Sequence, residues 1–154
     1  MRLRAGSRTI LVDPRLTDDA IGPLRAEDVT KDKFAAIVIS RASPEHCHIK
    51  TLEKVDKSIR IIANSKVCKI CRKLGFTDVV QVNPHQSIKF GTIEIVAFEG
   101  SKLGTWSKRQ NGYIFHLGGE SMLYEPTGDV HGLHDYSKSF KDQPITSAIV
   151  PMLS

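Results

Sequence analysis

The fold is decided by the stretch "VISRASPEHCHIKTLEKV", residues 38–55, in which an apolar strand is followed by a short polar loop and then by a helix. The strand starts upstream, because residues 34–40, "FAAIVIS", are an apolar run of the length typical of a strand buried on both faces. Ile49, Leu52 and Val55 recur at three-residue spacing, which indicates a short amphipathic helix. This order predicts a layered α/β fold, in which sites collect at the carboxyl ends of strands.

The rest of the chain first alternates strands and helices and then becomes rich in strands. "SRTILV", "IRIIA" and "DVVQV" predict strands, and "NSKVCKICRKLG" predicts a helix that Asn64 or Ser65 caps and Gly75 ends. In the second half, "SIKFGTIEIVAFEG", "NGYIFHLGGESMLYEP" and "TSAIVP" predict strands, with a hairpin turn at Gly118-Gly119. The pattern therefore predicts an α/β domain with mixed sheets.

Length and composition favour a single intracellular domain. The 154 residues are enough for one domain with its own core, residues 1–154, and no run is apolar enough to cross a membrane. The basic first residues lack the hydrophobic region of a signal peptide. The odd number of cysteines, three, does not suggest a secreted disulfide framework. We expect a soluble protein of the cytoplasm or the plastid, without a membrane partner.

The chain is mildly basic, with 22 Lys and Arg against 17 Asp and Glu and a formal net charge of +5. Small clusters of lysines occur in residues 50–57 and 66–73. Scattered lysines are usually a solvated face, and we favour that interpretation. The alternative is an electrostatic footprint for nucleic acid or another polyanion.

The order of these segments resembles the metallo-β-lactamase-like hydrolases over residues 8–151. The matching segments are "ILVDP", "AAIVIS", "GTIEIVAFEG", "NGYIFHLGGESMLYEPTGD" and "AIVP". That family has a strand-end motif, His-x-His-x-Asp-His, usually after Thr or Ser. The "EHCH" and "LYEP" segments look closest to a divergent plant and cyanobacterial branch in which the motif is eroded. The resemblance implies a metallo-β-lactamase-like αββα sandwich with mixed sheets, shortened at both ends.

The resemblance also places the family's metal ligands on this chain one at a time. The first and second His of the motif correspond to Arg41 and Ser43, the Asp to Glu45 and the final His to His46. The family's next His falls within residues 98–100, where this chain has none. A guanidinium stays charged and does not bind a metal, so we expect the first metal position to be lost.

A second metal position is partly retained. It would use Glu45, His46 and Asp129, the counterpart of the family's bridging Asp, with His48 or His131 as substitutes. We expect either no cofactor or one divalent metal ion there, zinc foremost, because a hydrolytic zinc needs about three protein ligands and an open position for water.

Ser43, Pro44 and Glu45 also have a purely structural interpretation, which we favour. Ser43 is a good N-cap, Pro44 suits the first helical position, and the helix dipole favours Glu45 in the first turn. The helical Cys68 and Cys71 are predicted to pack as small hydrophobic side chains, whereas Cys47 is predicted to be more exposed.

A small-molecule ligand would have four candidate contacts in this resemblance: Arg41, Trp106, Lys108 and Arg109. Arg41 would place its cation where the first metal ion lies in the family. Trp106 and the two cations after it fall in a loop that borders the family's active-site groove, where they could stack a ring or hold an anionic group.

Three hypotheses for function follow. The favoured one is a degenerate family member, a pseudoenzyme that lacks the binuclear hydrolase activity and acts in binding or scaffolding. The second is a hydrolase that uses a single metal ion at Glu45, His46 and Asp129, and the third is a binder of nucleic acid or another polyanion. A shortened fold leaves an unpaired sheet edge, which predicts a homo-oligomer.

Overall fold

The computed structural model describes residues 1–16, 24–100, 110–126, 140, 142 and 144–150, and the chain divides into two compact units, Met1–Gln81 and Val82–Ser154. Each unit contains one five-stranded sheet. Both sheets combine parallel and antiparallel pairs, so the predicted α/β fold with mixed sheets is confirmed. No helix within these described ranges is long and apolar enough to cross a membrane.

The sheet of the first unit has the strand order β1-β2-β3-β4-β5. Its strands are β1 (Arg2–Ala5), β2 (Arg8–Val12), β3 (Ala36–Ile39), β4 (Ile61–Ala63) and β5 (Val79–Gln81). A hairpin joins β1 antiparallel to β2, and β2 to β5 are all parallel. Helix α1 (Ile49–Lys54) connects β3 to β4, helix α2 (Ser65–Lys73) connects β4 to β5, and a 3-10 turn, Ala26–Asp28, lies between β2 and β3. The parallel strands place the loops after β2, β3 and β4 at one edge of the sheet.

The two helices cover one face of this sheet and form the core of the first unit. Every residue of β3 and β4 is buried, as expected of strands in the middle of a parallel sheet. The core contains side chains of β2, β3, β4 and both helices, among them Leu11, Ile37, Ile39, Ile61, Leu52, Val67, Cys68 and Cys71. The predicted burial of Cys68 and Cys71 as small hydrophobic side chains is therefore confirmed.

Helix α2 begins and ends where the sequence predicts. Its N-cap is Asn64, whose Oδ1 accepts hydrogen bonds from the backbone N–H groups of Lys66 and Val67, each 3.1 Å long. Gly75 follows the helix with a φ of +89°, a left-handed conformation that a glycine adopts without strain.

The sheet of the second unit has the strand order β10-β9-β8-β7-β6. Its strands are β6 (Ser87–Phe90), β7 (Ile93–Glu99), β8 (Asn111–Leu117), β9 (Glu120–Tyr124) and β10 (Ser147–Ile149). All pairs are antiparallel except β10 with β9. The predicted turn at Gly118-Gly119 joins β8 to β9, and both glycines have positive φ angles, +61° and +97°, as a tight hairpin turn requires.

Candidate functional site

A carboxylate, a hydroxyl and an imidazole meet at the carboxyl ends of β2 and β3. Asp13 follows β2 directly, Ser40 follows β3 directly, and His46 lies in the loop that leads to α1. Because β2 and β3 are parallel neighbours, their ends lie side by side. Asp13 adopts a φ of +44°, a left-handed conformation that Asp tolerates better than most residues, and its N–H donates to the Val38 carbonyl at 2.9 Å.

The Asp13 carboxylate is the centre of this network. Its Oδ1 accepts from the Ser40 N–H at 2.8 Å, and its Oδ2 accepts from the Ser40 hydroxyl at 2.6 Å. The same Oδ2 lies 2.7 Å from Nδ1 of His46, and the side chains of Asp13 and His46 are only 7% and 17% exposed. The Asn64 side-chain amide donates to the Ser40 carbonyl at 3.1 Å, and this bond connects the network to the end of β4.

This arrangement fixes the ring of His46 and leaves one nitrogen for other chemistry. With a carboxylate at Nδ1, that nitrogen carries the proton, so Nε2 has the lone pair in the neutral ring. No described residue hydrogen-bonds to Nε2 of His46. The network is not a nucleophilic triad, because the Ser40 hydroxyl is buried and lies 3.3 Å from Nδ1, the nitrogen that Asp13 also contacts.

A second network joins the motif positions before His46. The Nε of Arg41 donates to Oγ of Ser43 at 2.7 Å. Backbone N–H bonding within Glu45 itself, the Ser43 side chain and the nearby charge of Arg41 hold the pKa of the exposed Glu45 carboxyl below its usual range. The cation, the hydroxyl and the carboxylate of this loop are thus linked to one another.

The predicted helix start at Ser43 is wrong. The Ser43 carbonyl accepts from the N–H groups of His46 and Cys47 at 3.0 and 2.7 Å, so it closes a local turn. Helix α1 begins only at Ile49, and its N-cap is His48. Ser43 and Pro44, which predicted a helix start, form this turn instead. Glu45 is therefore not in the first turn of a helix.

His48 has a capping role. Its Nδ1 accepts from the Thr51 N–H at 3.3 Å and lies 2.8 Å from the Thr51 hydroxyl oxygen. Desolvation, with the charges of Arg15 and Lys50, lowers the pKa of His48 and so favours the neutral ring that can accept. Nδ1 of His48, the ring nitrogen that faces the helix, is therefore already hydrogen-bonded to Thr51.

Cys47 is buried, in contrast to the exposure that we expected. Its side chain is 2% exposed and belongs to the core of the first unit. Burial, with a smaller contribution from the Asp13 charge, raises the pKa of the Cys47 thiol to about 11. The thiol is therefore protonated near neutral pH and is a poor nucleophile.

The resemblance to the family places its third-strand His at the end of β7, where this chain has Phe98, Glu99 and Gly100. Phe98 is fully buried, and its ring lies against Gly112 on β8, its partner in the strand pairing. Glu99 is exposed and Gly100 is buried. The Phe98 position is thus occupied by a core aromatic side chain.

The described residues of this loop do not by themselves provide the ligands of a two-metal centre. A guanidinium cannot coordinate a cation, and the Ser43 hydroxyl already accepts a hydrogen bond from it. Within the described ranges, no three His, Cys, Asp or Glu side chains are arranged to hold a metal ion. Asp129, His131, Trp106, Lys108 and Arg109 lie outside the described residues, so the second metal position and the ligand-binding loop stay predictions.

Two residues of the site were not identified as such from the sequence: Asp13 and Asn64. Asp13 was visible as the end of the "ILVDP" segment, and an acidic residue directly after a strand beside the motif strand could have suggested it. Asn64 carries no such signal, because it also has an ordinary role as a helix cap.

Two mixed sheets with few helices are the fold of the metallo-β-lactamase-like class. The family described as the beta-lactamase superfamily domain matches residues 1–152. The chain belongs to this superfamily, and its fold is that of a metallohydrolase-like family.

Individual relatives agree with this fold. A UPF0173 metal-dependent hydrolase of Thermoplasma acidophilum is 24% identical over 119 residues, which are 73% of this chain and 50% of the relative. CmlA, a diiron beta-hydroxylase from Streptomyces venezuelae, matches 96% of this chain and 31% of its own with a TM-score of 0.72 and 20% identity. A possible metal-dependent hydrolase from Veillonella parvula matches 91% of this chain and 64% of its own, with a TM-score of 0.72 and 18% identity. The chain thus spans half the length of the curated relative.

Proposed function

We propose that this chain is a binding protein built on the metallo-β-lactamase fold, without the two-metal hydrolytic centre of the family. The observation that carries the proposal is the 2.7 Å hydrogen bond from Nε of Arg41 to Oγ of Ser43, at the two positions that correspond to the motif's first two imidazoles. A positive charge occupies the place of the first cation, and a fixed guanidinium repels a metal ion as well as failing to bind it.

The same arginine indicates the class of ligand. Arg41 uses Nε for Ser43, and no described residue accepts from its two terminal nitrogens. A planar guanidinium pairs best with two oxygens of a carboxylate or a phosphate. Glu45 competes only weakly for this charge, because its carboxylate is exposed and screened by water. The proposed ligand is therefore a small anion.

Ligand binding is tested by calorimetry with a panel of small carboxylates and phosphate esters. Arg41→Gln should lose the binding, whereas Arg60→Gln, which removes a half-buried arginine paired with Asp78 at 3.0 Å, should keep it. Equal binding by both variants would exclude Arg41 as the anion contact.

A second candidate is a hydrolase that uses one metal ion, and the hydrogen bond between Asp13 and His46 favours it. A carboxylate at Nδ1, here 2.7 Å away, is the usual partner of a metal-binding histidine, because it orients the ring and raises the basicity of Nε2. Glu45 and Asp129 would complete the ligand set, and such an ion lowers the pKa of a bound water. The metal dependence named for the Thermoplasma and Streptomyces proteins supports this candidate.

Elemental analysis separates the two candidates. The protein is purified without added metal and measured for zinc, manganese and iron, together with His46→Ala and a control, His116→Ala, whose ring contacts Ser121 at 2.7 Å in the second unit. The binding-protein proposal expects far less than one ion per chain in all three proteins. One ion per chain that only His46→Ala loses would establish the single-metal candidate instead.

A further inference from the structure

Helix α2 presents an uninterrupted row of positive charge. Four of its nine residues are basic and none is acidic. At 3.6 residues per turn, the four side chains fall within an arc of about 120°, and all are exposed, whereas the opposite side of the helix is buried in the core of the first unit. We call this set the cationic row; it consists of Lys66, Lys69, Arg72 and Lys73.

Helix stability explains only part of the cationic row, because the helix dipole favours Arg72 and Lys73 in the last turn but not the other two lysines. Lys66 lies in the first turn, where the helix dipole disfavours a positive charge. Lys69 is three residues from Lys66 and four residues from Lys73, the two spacings at which like charges repel on a helix surface. Arg72 donates to the Val79 carbonyl at 3.1 Å, but no described carboxylate lies within ion-pair distance of any of the four.

We propose that the cationic row binds the phosphate backbone of duplex DNA without regard to sequence. The row extends from Lys66 to Lys73, seven steps of about 1.5 Å and so about 10.5 Å, and duplex DNA carries one negative charge per about 1.7 Å of its axis. That spacing counts both strands, and on one strand it is about 3.4 Å, so the row spans about three phosphates of one strand, close to its own four charges, and releases counterions when it binds. The proposal is independent of the ligand at Arg41, because it uses a different surface.

Two other polyanions fit the helix less well. Binding of single strands relies on aromatic side chains that stack the bases, and α2 contains none, while the adjacent Phe76 is buried. A membrane-surface helix inserts its apolar face into the lipid, but Val67, Cys68 and Cys71 of α2 are buried in the core. Duplex DNA, which has a high density of negative charge, is therefore the best match for the cationic row.

The test measures binding of the whole chain to a labelled DNA duplex of about 20 base pairs by fluorescence anisotropy, between about 50 and 200 mM KCl. The variant Lys66→Gln/Lys69→Gln/Lys73→Gln is compared with Lys31→Gln/Lys33→Gln/Lys89→Gln, which removes the same number of charges from exposed lysines elsewhere in the chain. Arg41→Gln is included to separate this surface from the site loop. Circular dichroism confirms that each variant is folded.

The wild type should bind with a steep salt dependence, and the α2 variant should lose about 0.9 in the slope of log K against log salt for each lost phosphate contact. We expect the α2 variant to bind about tenfold or more weakly at the lowest salt concentration, while the control variant and Arg41→Gln stay close to wild type. Equal loss in the α2 and control variants, or no binding at low salt, would overturn the proposal. Binding to anionic vesicles or to single strands in preference to the duplex would also overturn it.

Discussion

The carboxylate of Asp13 lies 2.7 Å from Nδ1 of His46, although 33 residues separate the two in the sequence. The contact connects the end of β2 to the loop after β3, and Ser40 adds two further hydrogen bonds to the same carboxylate. The loop that would carry metal ligands in the family is therefore organised by hydrogen bonds within the protein.

Replacement of Asp13 by Asn should destabilise the first unit by about 1 to 3 kcal/mol, because the carboxylate is nearly buried and accepts hydrogen bonds from Ser40 and His46. Urea unfolding followed by circular dichroism measures the change. The control Asp32→Asn alters an exposed carboxylate and should stay within about 0.5 kcal/mol of the wild type. Similar values for the two variants would mean that the Asp13 network contributes little to stability.

The strand, loop and helix order around residues 38–55 could be predicted, because apolar runs and helical spacing are local properties of the sequence. The hairpin at Gly118-Gly119 and the cap at Asn64 are local in the same way, and both are confirmed. The start of α1 could not be predicted, since Ser43 and His48 both offer cap chemistry and tertiary contacts of Thr51 with Leu16 select His48. The partnership of Asp13 with His46 depends on the pairing of β2 with β3, which no local pattern contains.

The three thiols should resist modification in the folded protein. Cys47, Cys68 and Cys71 are buried, and burial raises the pKa values of Cys47 and Cys71 to about 11 and about 12, so very little reactive thiolate exists at pH 8. A colorimetric disulfide reagent should label none of them rapidly in buffer and all three in guanidinium chloride. Rapid labelling of any thiol in buffer would contradict the burial of the cysteine that is labelled.

Stability should fall at alkaline pH because of these same thiols. Their folded pKa values are raised above the ordinary value of 9.0, so the native state binds more protons than the unfolded state above that pH. The stabilisation that comes from these protonated thiols is fully present below about pH 9. It is lost as the pH rises toward about 11 for Cys47 and about 12 for Cys71. Urea unfolding at several values between pH 8 and pH 10.5 measures the slope. Cys47→Ala should reduce this slope, although it also lowers stability at neutral pH by leaving a small cavity.

Gly112 should not tolerate even a methyl group. A Cβ at this position would lie 2.1 Å from the Phe98 ring, so the ring or the strand pair would have to move. Gly112→Ala should cost about 1 to 3 kcal/mol or more in the free energy of unfolding. Adding Phe98→Leu should cost less in the Gly112→Ala background than in the wild type, because the smaller side chain relieves the overlap. If the two substitutions were simply additive, Phe98 would not be what requires the glycine.

Restoring the two imidazoles of the motif should create metal affinity that the wild type lacks. In Arg41→His/Ser43→His the guanidinium charge is removed and two nitrogen ligands take its place beside His46. Because Phe98 and Glu99 stand where the family has a further His, the new site has fewer ligands than a complete one and should bind zinc weakly.

Calorimetry should show zinc binding to the double variant and much weaker or no binding to the wild type. Arg41→Gln/Ser43→Ala, which removes the cation without adding ligands, is the matched control. If the control gained as much zinc affinity as the double variant, the arginine charge alone would account for the exclusion of metal; if the wild type bound zinc as tightly as the double variant, the binding-protein proposal would be wrong.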